Sequence, residues 1–228
     1  MITYKNTKMP INTIVYQSII TELAESNTTL VAVSKTKPIS DIEALYNLGQ
    51  RDFGENYVQE FIEKVPQLPK DIKWHFIGHL QTNKVKYIVP FVQLIHGVDS
   101  LKLLQEINKQ AGKLQLTTNC LLQVFIAEED SKFGLDATEL AAIINELPKL
   151  THVKIIGLMG MASFSDDTDK VSREFELLKN VYDKYAQFET PNFKLQILSM
   201  GMSGDYKLAM AAGSNMVRIG SLLFGARV

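Results

Sequence analysis

The segment from Leu30 to Pro38 reads Leu-Val-Ala-Val-Ser-Lys-Thr-Lys-Pro. A short apolar run delivers Ser34 and Lys35 to the end of a strand, and Pro38 stops it. Parallel strands of α/β proteins place their ligands at the carboxyl ends. A lysine there is placed to act as a nucleophilic amine. Burial disfavours an ammonium ion, and only the neutral amine condenses with a carbonyl to a Schiff base. The ordinary alternative is a surface lysine at a strand end. Lys37 competes for the role from two residues on. It precedes Pro38 directly, where the chain leaves the strand, and its charge would favour the neutral form of Lys35.

The other chemically suggestive residues lie near the C-terminus. Arg218 stands between Val217 and Ile219 inside an apolar run. A charge in that setting needs a carboxylate or a ligand. Gly220 and Ser221 follow it, offering backbone N–H groups and a hydroxyl. Phosphate sites of (β/α) barrels commonly lie after strands seven and eight. Upstream, Met200, Ser203 and Asp205 fall in a Gly-rich stretch that opens an alanine-rich helix. Such a helix start suits an anion, although Ser203 or Asp205 as a plain N-cap serves equally. Asn56, at the predicted end of the second strand, offers a polar edge to a ligand or a cap to a helix. His75 and His79 lie four apart and would share a side of a strand. No third ligand accompanies them, so we expect no metal site and read His75 as a core histidine.

The elements that must carry these residues alternate. Short apolar runs at Leu30–Ser34, Arg51–Gly54, Trp74–Gly78, Val92–Val98, Cys120–Ala127, Lys154–Ala162, Leu195–Gly201 and Met216–Phe224 read as buried strands. Helical periodicity occupies Ile11–Glu25, Asp41–Leu48, Ser100–Gly112, Asp136–Leu147, Asp169–Tyr185 and Asp205–Ala212, with Gly49 and Gly112 as expected stops. Strands alternating with helices imply right-handed βαβ units. Eight of them predict an α/β fold: a single (β/α)8 TIM barrel over residues 1–228 with an extra N-terminal helix. A doubly wound open sheet is the alternative. The first strand-to-helix turn, SKTKPIS, contains no glycine, so neither a dinucleotide fingerprint nor a P-loop is present.

The chain has 228 residues with 24 Lys+Arg against 25 Asp+Glu, so its near-neutral charge makes no electrostatic case for nucleic acid or an anionic membrane. Its single cysteine, Cys120, excludes an internal disulfide and reads as a buried, inert thiol. The first residues, MITYKNTKMPINT, lack a signal-peptide core. No apolar stretch reaches the roughly 20 residues that span a bilayer. A cytoplasmic protein is expected.

Taken together, AVSKTKP, FGENYVQE, WHFIGHLQTNK, GLMGMA, LSMGMSGD and AAGSNMVRIGSLLFGAR resemble the pyridoxal 5'-phosphate homeostasis protein family. The resemblance runs in order over essentially the whole chain. It implies the type III pyridoxal-phosphate fold, which is the barrel half of alanine racemase. It also implies pyridoxal 5'-phosphate (PLP) as cofactor, with Lys35 as its Schiff-base lysine. Ser203, Gly220 and Ser221 match the phosphate cradle, with Ser221 where the family often has Thr. Arg218 matches the arginine facing the pyridine nitrogen. Asn56 and Met200 match residues beside the cofactor ring. Met159-Gly160-Met161 departs mildly from the family's usual string.

Two functions compete on this reading. One is a PLP carrier or buffer in intracellular PLP homeostasis, with little or no catalysis, delivering to apo PLP-dependent enzymes. The other is a PLP-dependent amino-acid racemase of low activity. An arginine against the pyridine nitrogen keeps that nitrogen unprotonated and makes the ring a poorer electron sink. A two-base racemase needs a proton donor on each face of its substrate, and with the sequence ending at Val228 we expect no second domain to supply one. The carrier reading is therefore preferred, as is a monomer. A class I aldolase-like barrel using Lys35 is a third reading and would share the phosphate site.

Overall fold

The structure, a computed structural model, describes residues 11–128 and 133–225. The N-terminal stretch read above for a leader lies mostly outside them. Strands β1 (Thr29–Val33), β2 (Asp52–Glu55), β3 (Lys73–Phe76), β4 (Leu94–Val98), β5 (Thr118–Gln123), β6 (Val153–Met159), β7 (Phe193–Ser199) and β8 (Met216–Ile219) pair in sequence order and close into a barrel. Every ladder is parallel, and β1 closes on β8 with Val31 opposite Arg218. This is the (β/α)8 barrel that the alternation predicts.

Helices α1 (Thr13–Glu25), α2 (Ile39–Asn47), α3 (Val58–Lys64), α4 (Val85–Ile88), α5 (Leu101–Lys113), α6 (Ala137–Glu146), α7 (Thr168–Ala186), α8 (Tyr206–Ala211) and α9 (Ser221–Phe224) accompany them. Local chemistry starts them. Asn12 caps α1 by accepting the Val15 N–H. Ser100 caps α5 from the Leu103 N–H, and Asp136 with Glu139 forms a capping box on α6. Gly49, at φ +103°, ends α2 in the backbone region that glycine alone enters freely. The extra N-terminal helix α1 packs under the C-terminal end, where the Asn12 N–H donates to the Leu223 carbonyl at 2.8 Å.

Buried parallel strands are apolar on both faces, and here the two faces have different partners. Outward side chains such as Leu30, Ala32, Phe53, Trp74, Phe76, Ile95, Val217 and Ile219 join the helices in one large core. Inward ones form a small separate cluster around Val31, Leu94, Leu121, Met159 and Met216. Each fully buried large apolar side chain is worth about 1.5–3 kcal/mol. The outer layer therefore supplies most of the stability, which leaves inward positions free for polar residues.

Several boundaries differ from expectation. The apolar run Met216–Phe224 is a strand only to Ile219; Ser221–Phe224 is one helical turn whose Leu223 and Phe224 remain buried. A short apolar run fits either conformation. The β5 ladder stops at Gln123, while Val124–Ala127 continue as irregular chain that is mostly buried. Gly112 does not end α5, which runs to Lys113; a Cβ at that position would meet the His152 ring at 2.9 Å. Helices α3 and α4 are too short to show periodicity in the sequence. No helix among the described residues is long and apolar enough to cross a membrane.

Candidate functional site

Period-two alternation decides which residues reach the barrel's C-terminal mouth. Val31 and Val33 point inward, and Lys35 follows with the same parity just past the strand. Asn56 extends the inward row of Gly54, and Gly220 that of Arg218. These residues converge on a cavity of about 610 Å3 lined by Val33, Lys35, Asn56, Arg218, Gly220 and Ser221, together with Ser203 and Lys37. Met161 and Met202 supply apolar wall, and the β6–α7 loop contributes Ser163 through Asp166.

Lys35 sits in a tight turn. The Lys37 N–H donates to the Ser34 carbonyl at 3.1 Å, and Thr36 adopts φ +61°. A β-branched residue rarely takes that conformation. Both flanks of the turn are tied to one buried ionic group. The Ser34 hydroxyl donates to Glu55 Oε1 at 2.6 Å, and the Thr36 N–H donates to Glu60 Oε2 at 2.7 Å. Lys64 Nζ lies between these carboxylates, 2.8 Å from Glu55 and 2.7 Å from Glu60, and also donates to the Ser34 carbonyl at 2.9 Å. Burial pushes the Glu55 carboxyl up, and Lys64 and Ser34 only partly offset that. Lys37 Nζ donates to the Phe224 carbonyl at 3.0 Å, at the end of α9.

Arg218 is 5 % exposed, with its guanidinium held by protein acceptors. Nη1 donates to the Ser199 carbonyl at 3.0 Å and the Ser199 hydroxyl at 2.7 Å, and Nη2 to the Gly160 carbonyl at 3.1 Å. Burial lowers it to about 10, opposed by the nearby charge of Asp205, so it stays a cation at neutral pH.

The phosphate-binding candidates meet as expected. The Gly220 N–H donates to Ser203 Oγ at 3.2 Å, which leaves the Ser203 proton to donate elsewhere. Ser221 opens α9 beside them, exposed at the rim. Asp205, not Ser203, occupies the N-cap position of α8, and its Oδ1 accepts the Met202 N–H. Asn56 carries a buried Oδ1 with no partner. Gly78 keeps its backbone close: a Cβ there would collide with the Asn56 carbonyl and reach its Cα at 2.8 Å.

Met200 does not join the site. Its side chain is fully buried in the outer core, outside the residues lining the cavity. Parity explains this: Ser199 pairs in register with inward Met216, so the next residue faces out. Met202 and Met161 hold the wall positions instead. His75 is a core histidine, 2 % exposed, whereas His79 lies past the end of β3 and pairs with Asp99. No group of three or more metal-ligating side chains occurs among the described residues. Sequence reasoning missed the Glu55–Lys64–Glu60 group, Ser199 and His96. His96 interrupts the apolar run Leu94-Ile95-His96 much as Arg218 interrupts its own, and the same argument would have marked it.

This fold with a lysine, an arginine and a hydroxyl cradle at its C-terminal mouth defines a class, and the comparisons identify it. Residues 16–228 match the alanine racemase N-terminal domain family. Within that class the chain belongs to the pyridoxal phosphate homeostasis protein family. It is 40% identical over 216 residues to the pyridoxal phosphate homeostasis protein of Synechocystis sp., covering 94% of this chain and 98% of the relative. It is 39% identical over 206 residues to that of Escherichia coli K12, covering 87% and 86%. Among solved structures it is similar to PipY of Synechococcus elongatus, at 36% identity and over 93% of this chain and 99% of that one. The TM-score is 0.87 for PipY without PLP and 0.84 with PLP bound. An alanine racemase of Clostridium difficile shares the fold, at 15% identity and TM-score 0.72 over 95% of this chain and 59% of that one.

Proposed function

We propose that this protein holds PLP reversibly in the barrel mouth and serves as its carrier or buffer in intracellular PLP homeostasis. The carrying observation is the convergence of Lys35, Arg218 and the Ser203–Gly220–Ser221 cradle on one cavity. The residues present fit the group. The cradle offers the Ser203 and Ser221 hydroxyls to a phosphate, the buried Asn56 Oδ1 awaits a donor, and Arg218 is a fixed cation at the cavity wall. When bound, PLP supplies an aldehyde that a lysine amine takes up with loss of water.

The roles of the side chains follow from their placement. Lys35 would be the amine, presented by a turn that Glu55, Lys64 and Glu60 hold rigid. Ser203, Gly220 and Ser221 would bind the phosphate, and Arg218 would face the ring nitrogen. Lys37, occupied by the α9 carbonyls, would order the phosphate side of the mouth. The described lining includes no histidine, cysteine or tyrosine. Asp166 and Asp205 are its carboxylates, and the charge of Asp205 acts on Arg218. This lining supports a holder of a reactive aldehyde better than a two-base racemase. Apo PLP-dependent enzymes as recipients, a monomeric state and a cytoplasmic location belong to the same proposal.

The test is to load the protein with PLP and mix it with an apo-aminotransferase, and separately with single-enantiomer alanine. Recovery of aminotransferase activity, with racemisation below about 1 s⁻¹, the low end for ordinary enzymes, is expected. Turnover above that rate would establish the racemase instead.

A further inference from the structure

A line of polar side chains crosses the interior of the barrel beneath the site. Ser199 Oγ, which accepts from Arg218 Nη1 at 2.7 Å, lies 3.4 Å from His96 Nδ1. His96 Nε2 lies 2.8 Å from His75 Nδ1, and His75 Nε2 lies 3.0 Å from Asp52 Oδ1. Ser199, His96 and His75 are 0 %, 0 % and 2 % exposed. Asp52 begins β2 at the opposite mouth of the barrel, with Lys73 Nζ 3.9 Å away and its own side chain 19 % exposed. Buried polar groups are costly unless every one is satisfied, and these are satisfied almost wholly by one another.

The direction of each bond follows once each imidazole carries one proton. Guanidinium only donates and carboxylate only accepts. Asp52 Oδ1 therefore accepts a hydrogen bond from the His75 Nε2–H. With one proton on each imidazole, His75 Nδ1 is left bare and His96 donates from Nε2. That leaves His96 Nδ1 bare, to accept the hydroxyl proton of Ser199, whose oxygen is taken by Arg218. Donation runs one way, from Arg218 through Ser199, His96 and His75 to Asp52. Burial above all, with the charge of Arg218, holds His96 well below the ordinary imidazole range, which keeps it neutral.

We infer that Ser199, His96 and His75 are positioning residues for Arg218, fixing through this one-way chain how its guanidinium is presented to the ring of the bound cofactor. The inference rests on the PLP reading above. The Ser199 and Gly160 carbonyls hold Nη1 and Nη2, and the chain adds an oriented Ser199 hydroxyl to that hold, which fixes the guanidinium at the cavity wall. Removing the His96 acceptor frees the Ser199 hydroxyl to turn and compete for the same groups.

The probe is a pair of ligands, PLP and its carbocyclic analogue with C–H in place of the ring nitrogen, titrated against the full chain. The wild type is expected to bind PLP at least tenfold tighter. His96→Leu should lose that preference while binding the analogue as before. His96→Asn, whose Oδ1 replaces Nδ1 as acceptor, should restore it. Equal weakening of both ligands by His96→Leu would show a merely structural role and overturn the inference, as would a preserved preference. A wild type that binds both ligands equally would overturn it while leaving PLP binding intact. A wild type that binds neither would sink the PLP reading itself. Independently of loading and of variant folding, 15N NMR of histidine-labelled wild-type protein without ligand should show His96 neutral and protonated at Nε2. A proton on Nδ1 would contradict the chain.

Discussion

The backbone N–H of Thr36 donates to Glu60 Oε2 at 2.7 Å, and Thr36 holds φ +61°. A carboxylate from α3 thus secures the residue next to Lys35 in a conformation that threonine seldom adopts. The same carboxylate meets Lys64, which meets Glu55 and the Ser34 carbonyl. The turn that carries Lys35 is fixed on both sides by one largely buried ionic cluster.

Lys64→Met should cost about 3–5 kcal/mol in urea unfolding, because it leaves Glu55 buried without its cation. The loss should depend on pH. Burial already raises the Glu55 carboxyl above its ordinary value, and without Lys64 it rises further. A carboxyl raised by folding is most stable when protonated, so the penalty should grow as pH rises through its folded value. Unfolding at pH 5 and pH 8 checks this, with the larger loss at pH 8.

Ser203→Ala should weaken PLP binding about tenfold, the loss of one charge-assisted hydrogen bond of about 1.4 kcal/mol. Pyridoxal, which lacks the phosphate, should bind the variant and the wild type alike. Fluorescence titration with both ligands makes the comparison, and equal weakening of both would remove Ser203 from the cradle.

Glu174 shows the opposite titration. Burial pushes its carboxyl up, but the Ser163 hydroxyl and the N–H groups of Glu128 and Ser163 outweigh that and hold it below the ordinary glutamate range. It ties α7 to the loops that follow β5 and β6. Its contribution is complete above the ordinary value of about 4.3 and is lost as pH falls through the folded value. Glu174→Gln places an amide against backbone donors. It should cost about 1.5–3 kcal/mol at pH 7, and the gap in Tm from wild type should narrow toward pH 3.

The barrel was legible because eight apolar runs alternate with amphipathic ones, and a parallel sheet covered on both faces requires that pattern. Arg218 was legible as a cation between Val217 and Ile219. Met200 was misplaced because the motif was read without its strand parity, which turns Ser199 inward and Met200 out. The Lys35 clamp was hidden because Ser34, Glu55, Glu60 and Lys64 meet only in the folded chain, on a helix too short to show a period. His96 carried a local signal, but its partners His75 and Ser199 come from other strands, and only the register brings them together.

The central claim is that Lys35 holds the cofactor aldehyde. Borohydride reduction of the PLP-loaded protein, followed by peptide mapping, tests it most directly. The phosphopyridoxyl group is expected on Lys35, with none on Lys37, and Lys35→Ala should abolish both the label and the visible absorbance. A label on Lys37, or absorbance retained in Lys35→Ala and lost in Lys37→Ala, would contradict the account.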